Sequence, residues 1–213
     1  MTAPKKPINT DMTTTRLEAF SDGVFAIAIT LLIIEIKVPT HEALKEETLM
    51  QYIIHNWPKY FAYVFAFINI GIYWVNHHYF FKFFKGTDHV FNLLNVFFLM
   101  TIAFVPYPAG ILGEYVMEPE HRKSAISFFT FSMWMPAFAW LLMWLYASYE
   151  KRLTDPRLSE TFTKKLTWLY FLSNAFYIFS FLISLVNPVA GIAVSMGLTL
   201  LYLLPPMKPE YQY

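Results

Sequence analysis

The chain has 213 residues, of which 56% are hydrophobic and only 15% charged, whereas a soluble domain of this size carries about a quarter charged residues. A net charge of +1 gives no electrostatic footprint for nucleic acid, and the absence of cysteine excludes disulfides, thiolate metal sites and cysteine nucleophiles. The hydrophobic excess falls in blocks, and a bilayer core of about 30 Å takes roughly 20 apolar residues per helix, so an all-α integral membrane protein is expected.

Along the chain, Met1–Thr15 carries Pro4, Pro7 and a threonine run and reads as a mobile tail. Six apolar stretches follow, at Phe20–Val38, Phe61–Phe84, Phe91–Leu112, Ala125–Tyr149, Leu166–Val186 and Pro188–Leu204. The first is not a signal peptide. Arg16, Glu18 and Asp22 stand at its start, Glu35 and Lys37 near its end, and no small-residue cleavage site follows. Asn187 and Pro188 make a tight turn between the last two stretches. The expected division is a tail at 1–15, a membrane domain at 16–206 and a C-terminal segment at 207–213. No internal repeat and no Gly-rich phosphate loop is evident.

Six alternating helices sort the connecting loops to two sides. Lys5, Lys6, Arg16, Lys82, Lys85, Lys151, Arg152, Arg157, Lys164, Lys165 and Lys208 fall on one side, eleven in all, against five on the other. The positive-inside rule then predicts cytoplasmic termini and a multi-pass protein of the cell membrane. The outer loops carry Glu42, Glu46, Glu47, Glu114, Glu118 and Glu120, either ordinary solvated residues or a rim that concentrates cations.

Two groups stand out within the spans. Arg16, Ser21 and Asp22 bring polar and ionised groups to the inner end of the first helix, where each wants a partner because an unpaired charge in the membrane is costly. The second helix runs inward and delivers Trp74, Asn76, His77 and His78 to the same depth, and the third starts outward from there with Asn92 and Asn95. A hydrogen-bonded knot tying helix one to helices two and three is expected, with a packing role before a ligand or proton role. His77 and His78 are adjacent and point about 100° apart, so they are poorly placed to share a metal. The second group is Ile27, Thr30, Leu31 and Ile34, at i, i+3, i+4 and i+7 on one helical face. By spacing alone that face serves packing or lipid contact as well as any other purpose.

The segment RLEAFSDGVFAIAIT resembles the RxxxFSD signature that opens helix one in the transmembrane protein 175 family of potassium channels. WVNHHYF in helix two and FVPYP at the end of helix three are also similar to that family. The resemblance assigns Arg16, Phe20, Ser21 and Asp22 to the signature. It places the pore-lining isoleucine on Ile27, with further pore layers on Thr30 or Leu31 and on Ile34. It implies a homotetramer in the lipid bilayer with one pore-lining helix per subunit, passive conduction of potassium and no cofactor beyond the permeant ion. An apolar ring at Ile27 would act as a hydrophobic gate, admitting the ion that gives up its water more easily. No helix repeats Arg or Lys at every third residue as a voltage sensor does.

Two other readings compete. A secondary transporter would show interrupted spans in matching halves and charges near the midplane, but Pro106, Pro108 and Pro136 do not pair across halves. An intramembrane enzyme would need a nucleophile–base pair or metal ligands at one depth, for which only the surroundings of His77 and Asp22 qualify. A proton-permeable channel stays open as a variant of the leading reading.

Overall fold

A computed structural model describes residues 14–204 and 207–211; most of the expected N-terminal tail lies outside them. The elements are α1 (Thr14–Leu31), α2 (Leu49–His55), α3 (Trp57–Phe81), α4 (His89–Phe104), α5 (Pro106–Tyr115), α6 (Arg122–Ser148), α7 (Glu160–Ser184) and α8 (Pro188–Leu201), with short 3₁₀ segments between some of them. Among the described residues there is no β-sheet, only two isolated bridges. Four stretches, Thr14–Glu35, His89–Tyr115, Arg122–Lys151 and Glu160–Ser184, are long and apolar enough to cross a membrane.

Three boundaries differ from the sequence expectation. α1 starts at Thr14, six residues before Phe20, so Arg16 and Glu18 are helical. It also changes winding at Leu32, where a 3₁₀ segment runs to Glu35. The third stretch breaks after Phe104, because Pro106 and Pro108 lack amide protons and fit only the first turn of a new helix. The loop after α1 also holds a helix that the apolar pattern did not reveal. Thr48 and Gln51 form a reciprocal capping box that starts α2.

α6 is the axis of the subunit. Of its membrane-length window 67% is buried, against 22% for α1, and a helix apolar on all sides belongs in an interior. Phe25, Phe81, Phe98 and Trp140 surround His77 in an aromatic centre between α1, α3, α4 and α6, and Phe80 packs on Trp140 with ring centroids 4.5 Å apart. α7 and α8 form a hairpin closed by the Asn187 side chain, which accepts from the Ala190 amide. Gly191 allows the close approach: a Cβ there would lie 2.5 Å from that of Ser184. Gly113 does the same between α5 and α3, where a Cβ would sit 2.9 Å from Lys59 Cα.

The turn after α3, the loop between α6 and α7 and the C-terminal segment meet at one end of the bundle. Lys85 N donates to Leu153 O at 3.0 Å, Asp155 N to Phe83 O at 2.8 Å and Ser159 N to Glu210 O at 2.9 Å. Asp155 sits at the junction. Its carboxylate takes the Arg157 guanidinium at 2.8 Å and the Arg157 amide at 2.9 Å, with Lys85 Nζ at 3.5 Å. The Arg157 hydrogen bonds hold the Asp155 carboxyl well below the usual carboxylate range. A depressed folded value contributes stability above the unfolded value of about 3.9 and loses it as pH falls towards the folded one. The thermal midpoint of the wild type should therefore exceed that of Asp155→Asn by a constant margin above about pH 5, narrowing below about pH 4. A margin that stays constant down to pH 2.5 would show that the carboxylate charge is not what holds the loops.

Candidate pore-lining helix and its polar anchor

α1 has two faces of different character. Ser21, Phe25, Ala28 and Leu32 are buried at spacings of four, three and four, which is the face packed on α3 and α4. Ile27, Leu31 and Ile34 lie opposite and are 61%, 43% and 64% exposed. Thr30 is exposed beside them and Ile29 packs partly against the core. The candidate stripe is thus a continuous, largely apolar surface that the subunit itself does not cover.

The change of winding at Leu32 alters this stripe. In a 3₁₀ segment residues three apart eclipse one another, so Ile34 stands nearly in line with Leu31. The rise from Ile27 to Ile34 becomes about 12 Å, against about 10 Å for a continuous α-helix. The Thr30 hydroxyl donates to the Ala26 and Ile27 carbonyls, both at 2.9 Å. Its proton is thereby turned into the helix, and the oxygen lone pairs are left outward, where a cation could use them.

The polar groups at the other end of α1 form two short chains of hydrogen bonds. Ser21 Oγ donates to Leu17 O at 2.8 Å and accepts from Asn95 Nδ2 at 3.0 Å, while Asn95 Oδ1 faces His77 Nε2 at 3.1 Å. Ser21, His77 and Asn95 are all buried. Because Asn95 gives its NH₂ to Ser21, its carbonyl oxygen faces the imidazole and His77 carries its proton on Nε2. Separately, Trp74 Nε1 donates to Asp22 Oδ1 at 2.9 Å on the exposed side of the helix pair. His78 Nδ1 lies 3.6 Å from Glu18, a partner that the sequence pattern did not single out.

Several candidates stand apart from this network. Arg16 and Phe20 are exposed at the start of α1, Phe20 by 54%. Asn76 donates back to Ile72 O in its own helix. Asn92 lies on α4 one turn before Asn95 and contributes to neither chain of bonds above. The two histidines serve different partners, His77 on α4 and His78 on α1. Among the described residues no group of three His, Cys, Asp or Glu is placed to hold a metal.

At the far end of the bundle Lys59 pairs with Glu114 at 2.8 Å, linking the start of α3 to the end of α5. Glu35 packs against Gly110, where a Cβ would lie 2.3 Å from its carboxylate oxygen. The end of the stripe is thus fixed against α5 as its start is fixed against α3 and α4.

Comparison with known proteins bears on both regions. The family model described as endosomal/lysosomal potassium channel TMEM175 matches residues 16–106, from the signature to the start of α5. A potassium channel of Chamaesiphon minutus is 35% identical over 191 residues, covering 90% of this chain and 94% of its own. A crystal structure described as a lysosomal potassium-selective channel TMEM175 homolog from the same organism superposes with a TM-score of 0.81 at 34% identity, covering 90% of this chain and 96% of that one. The endosomal/lysosomal proton channel TMEM175 of Gallus gallus is 32% identical over 138 residues, 57% of this chain but 28% of its own length. With the signature at the head of α1, the same fold and a relative similar over nearly its whole length, the chain belongs to the TMEM175 family.

Proposed function

We propose that the chain is one subunit of a potassium-selective channel that conducts passively. The observation that carries this reading is the two-faced α1, whose polar start is tied into the subunit while Ile27, Thr30, Leu31 and Ile34 remain uncovered. A single α1 cannot enclose a pore, so the reading requires several copies around an axis, in the symmetric arrangement usual for homo-oligomers; the family resemblance favours a homotetramer. Membership of an ion-channel family and the names of the bacterial relatives support potassium as the ion.

Six membrane crossings fit the element lengths. α1, α4 with α5, α6 and α7 supply the four apolar spans. α3 has 25 residues, about 37 Å at 1.5 Å per residue, and buries Phe65, Asn69, Phe80 and Phe81. α8, with 14 residues, makes the sixth with the turn that follows it. The loops gathered by Asp155 are the Lys- and Arg-rich ones, which favours a cytoplasmic position for that end. In this arrangement Ile27 forms the narrowest ring and Thr30 or Leu31 and Ile34 the layers beyond it. An apolar ring offers no oxygen to replace lost water, so it favours the ion with the weaker hydration shell and closes by dewetting.

A second reading is proton conduction, favoured by the name of the vertebrate relative. One preparation separates the two. Liposomes diluted into choline chloride with a protonophore should acidify rapidly when loaded with potassium chloride and slowly when loaded with sodium chloride, and should hardly acidify when the protonophore is left out. Equal sodium and potassium fluxes would remove the selectivity claim. Equally rapid acidification without the protonophore would favour the proton reading.

A further inference from the structure

α8 is shorter than the helix it folds back on. It ends opposite the middle of α7, where the Tyr202 and Ser173 hydroxyls are in contact. Beyond that point no described helix fills the space between α7 and α3, and a cavity of about 80 Å³ remains there. α6 contributes its floor through Ala137 and Trp140. Tyr79 and Met207 line it and are 43% and 40% exposed, so it reaches the surface at their end. Among the described residues no charged side chain lines it.

Two buried amides face this space. Asn69 Nδ2 donates to Thr199 Oγ1 at 3.1 Å. Asn174 Nδ2 donates to the carbonyls of Ala137 at 3.1 Å and Tyr170 at 2.9 Å. The two carbonyls accept only an N–H, so the Asn174 amide cannot be turned around, whereas the Thr199 and Tyr177 hydroxyls beside Asn69 can serve either half of its amide. The carbonyl oxygen of Asn174 is therefore left without a partner, in a residue only 7% exposed. A buried acceptor without a donor is rare in native interiors, and one lining a cavity calls for a donor from within that cavity.

We propose that this cavity binds a small neutral amphiphile, one carrying a hydroxyl or N–H donor on an apolar body. The donor would satisfy the Asn174 carbonyl, and the body would lie against Tyr73, Trp140 and Tyr170. The cavity has room for several waters' worth of ligand and opens at one end, and an apolar wall with few convergent polar groups is what small-molecule sites have. The uncharged lining selects against ions, for which this depth is costly. The site lies on the other side of α3 from the knot and involves none of the stripe residues, so the proposal does not depend on what the chain conducts.

A matched pair of probes tests it. 4-Pentylphenol can donate a hydrogen bond; 4-pentylanisole has the same body and cannot. The thermal midpoint of the purified full-length protein in detergent should rise saturably with the phenol, and the anisole should need about tenfold higher concentration, the effect of one buried hydrogen bond lost. Ala137→Phe, which fills the floor and keeps the backbone carbonyl that Asn174 uses, should abolish the phenol effect. Equal potency of the two probes in the wild type would overturn the proposal, since it would reflect partition into the micelle alone. So would no effect of either probe, which would leave water as the occupant, or a phenol effect that survives in folded Ala137→Phe. The wild-type comparison decides even if that variant does not fold.

Discussion

Replacing Ile27 by alanine is expected to raise potassium flux and to lower the preference for potassium over sodium by about tenfold, equivalent to about 1.4 kcal/mol of lost discrimination. Ile27 is 61% exposed on the isolated subunit, so its truncation removes little from the subunit's own core. In the proposed pore the same substitution occurs in every copy and widens the neck from all sides at once. A wider apolar ring stays wet and lets sodium pass with more of its water. Ile29→Ala is the control. It lies about 160° around the helix from Ile27 and packs partly against the core, so it should cost stability and leave the ion preference nearly intact. Liposome flux with the two cations reads both variants. An unchanged preference in Ile27→Ala together with an altered one in Ile29→Ala would mean that another face of α1 lines the path.

Asn95→Leu should be the most damaging single change in the polar anchor. Leucine keeps the volume but withdraws both halves of the amide, leaving His77 Nε2 buried without a partner and removing the donor to Ser21. A stranded buried group costs about 1–3 kcal/mol, and interhelical bonds in membranes measure at the lower part of such ranges, about 0.6–1.7 kcal/mol. A loss near 2 kcal/mol in reversible unfolding from mixed micelles is therefore expected. Adding His77→Phe should recover part of it, since phenylalanine suits a position that already faces Phe25, Phe81 and Phe98 and needs no hydrogen bond. Asp22 should behave more mildly. Asp22→Asn retains the oxygen that accepts from Trp74 and should be nearly neutral for stability, whereas Asp22→Ala should lower the yield of assembled protein. If Asn95→Leu proves as stable as the wild type yet loses ion preference, the amide acts on the ion rather than on the helices.

Much of this was legible in the sequence because the membrane makes polar residues conspicuous. Ser21, Asp22, Trp74, His77 and Asn95 could be grouped by depth alone, and the structure places all five in two bonded sets joining α1 to α3 and α4. The face of α1 followed from spacing, since Ile27, Thr30, Leu31 and Ile34 share one side of a helix whatever that helix packs on. Depth could not say which neighbours would bond. Asn76, His78 and Arg16 sit at the same level as His77 but point elsewhere, a matter of rotation about α3 and α1 that periodicity leaves open in a helix apolar on most sides. The α4–α5 break was written in Pro106 and Pro108, and α2 in Thr48 and Gln51, short signals next to longer hydrophobic ones. The cavity had no local signal. Its aromatic residues resemble any core, and the space exists only because α8 ends early against α7.

The 3₁₀ turn at the outer end of α1 makes that helix a screw with two pitches. Over the three residues from Leu31 to Ile34, 3₁₀ winding turns about 60° further than α winding and is about 1.5 Å longer. Rewinding this segment as α-helix would swing Ile34 off the line of Leu31 and draw the end of the helix inward by that length. The rotation would, however, have to carry Glu35 past Gly110, the one residue type small enough to let its carboxylate lie where it does. The contact between Glu35 and Gly110 therefore acts as a detent on the winding of α1, and a side chain at position 110 would press directly on the outermost layer of the stripe.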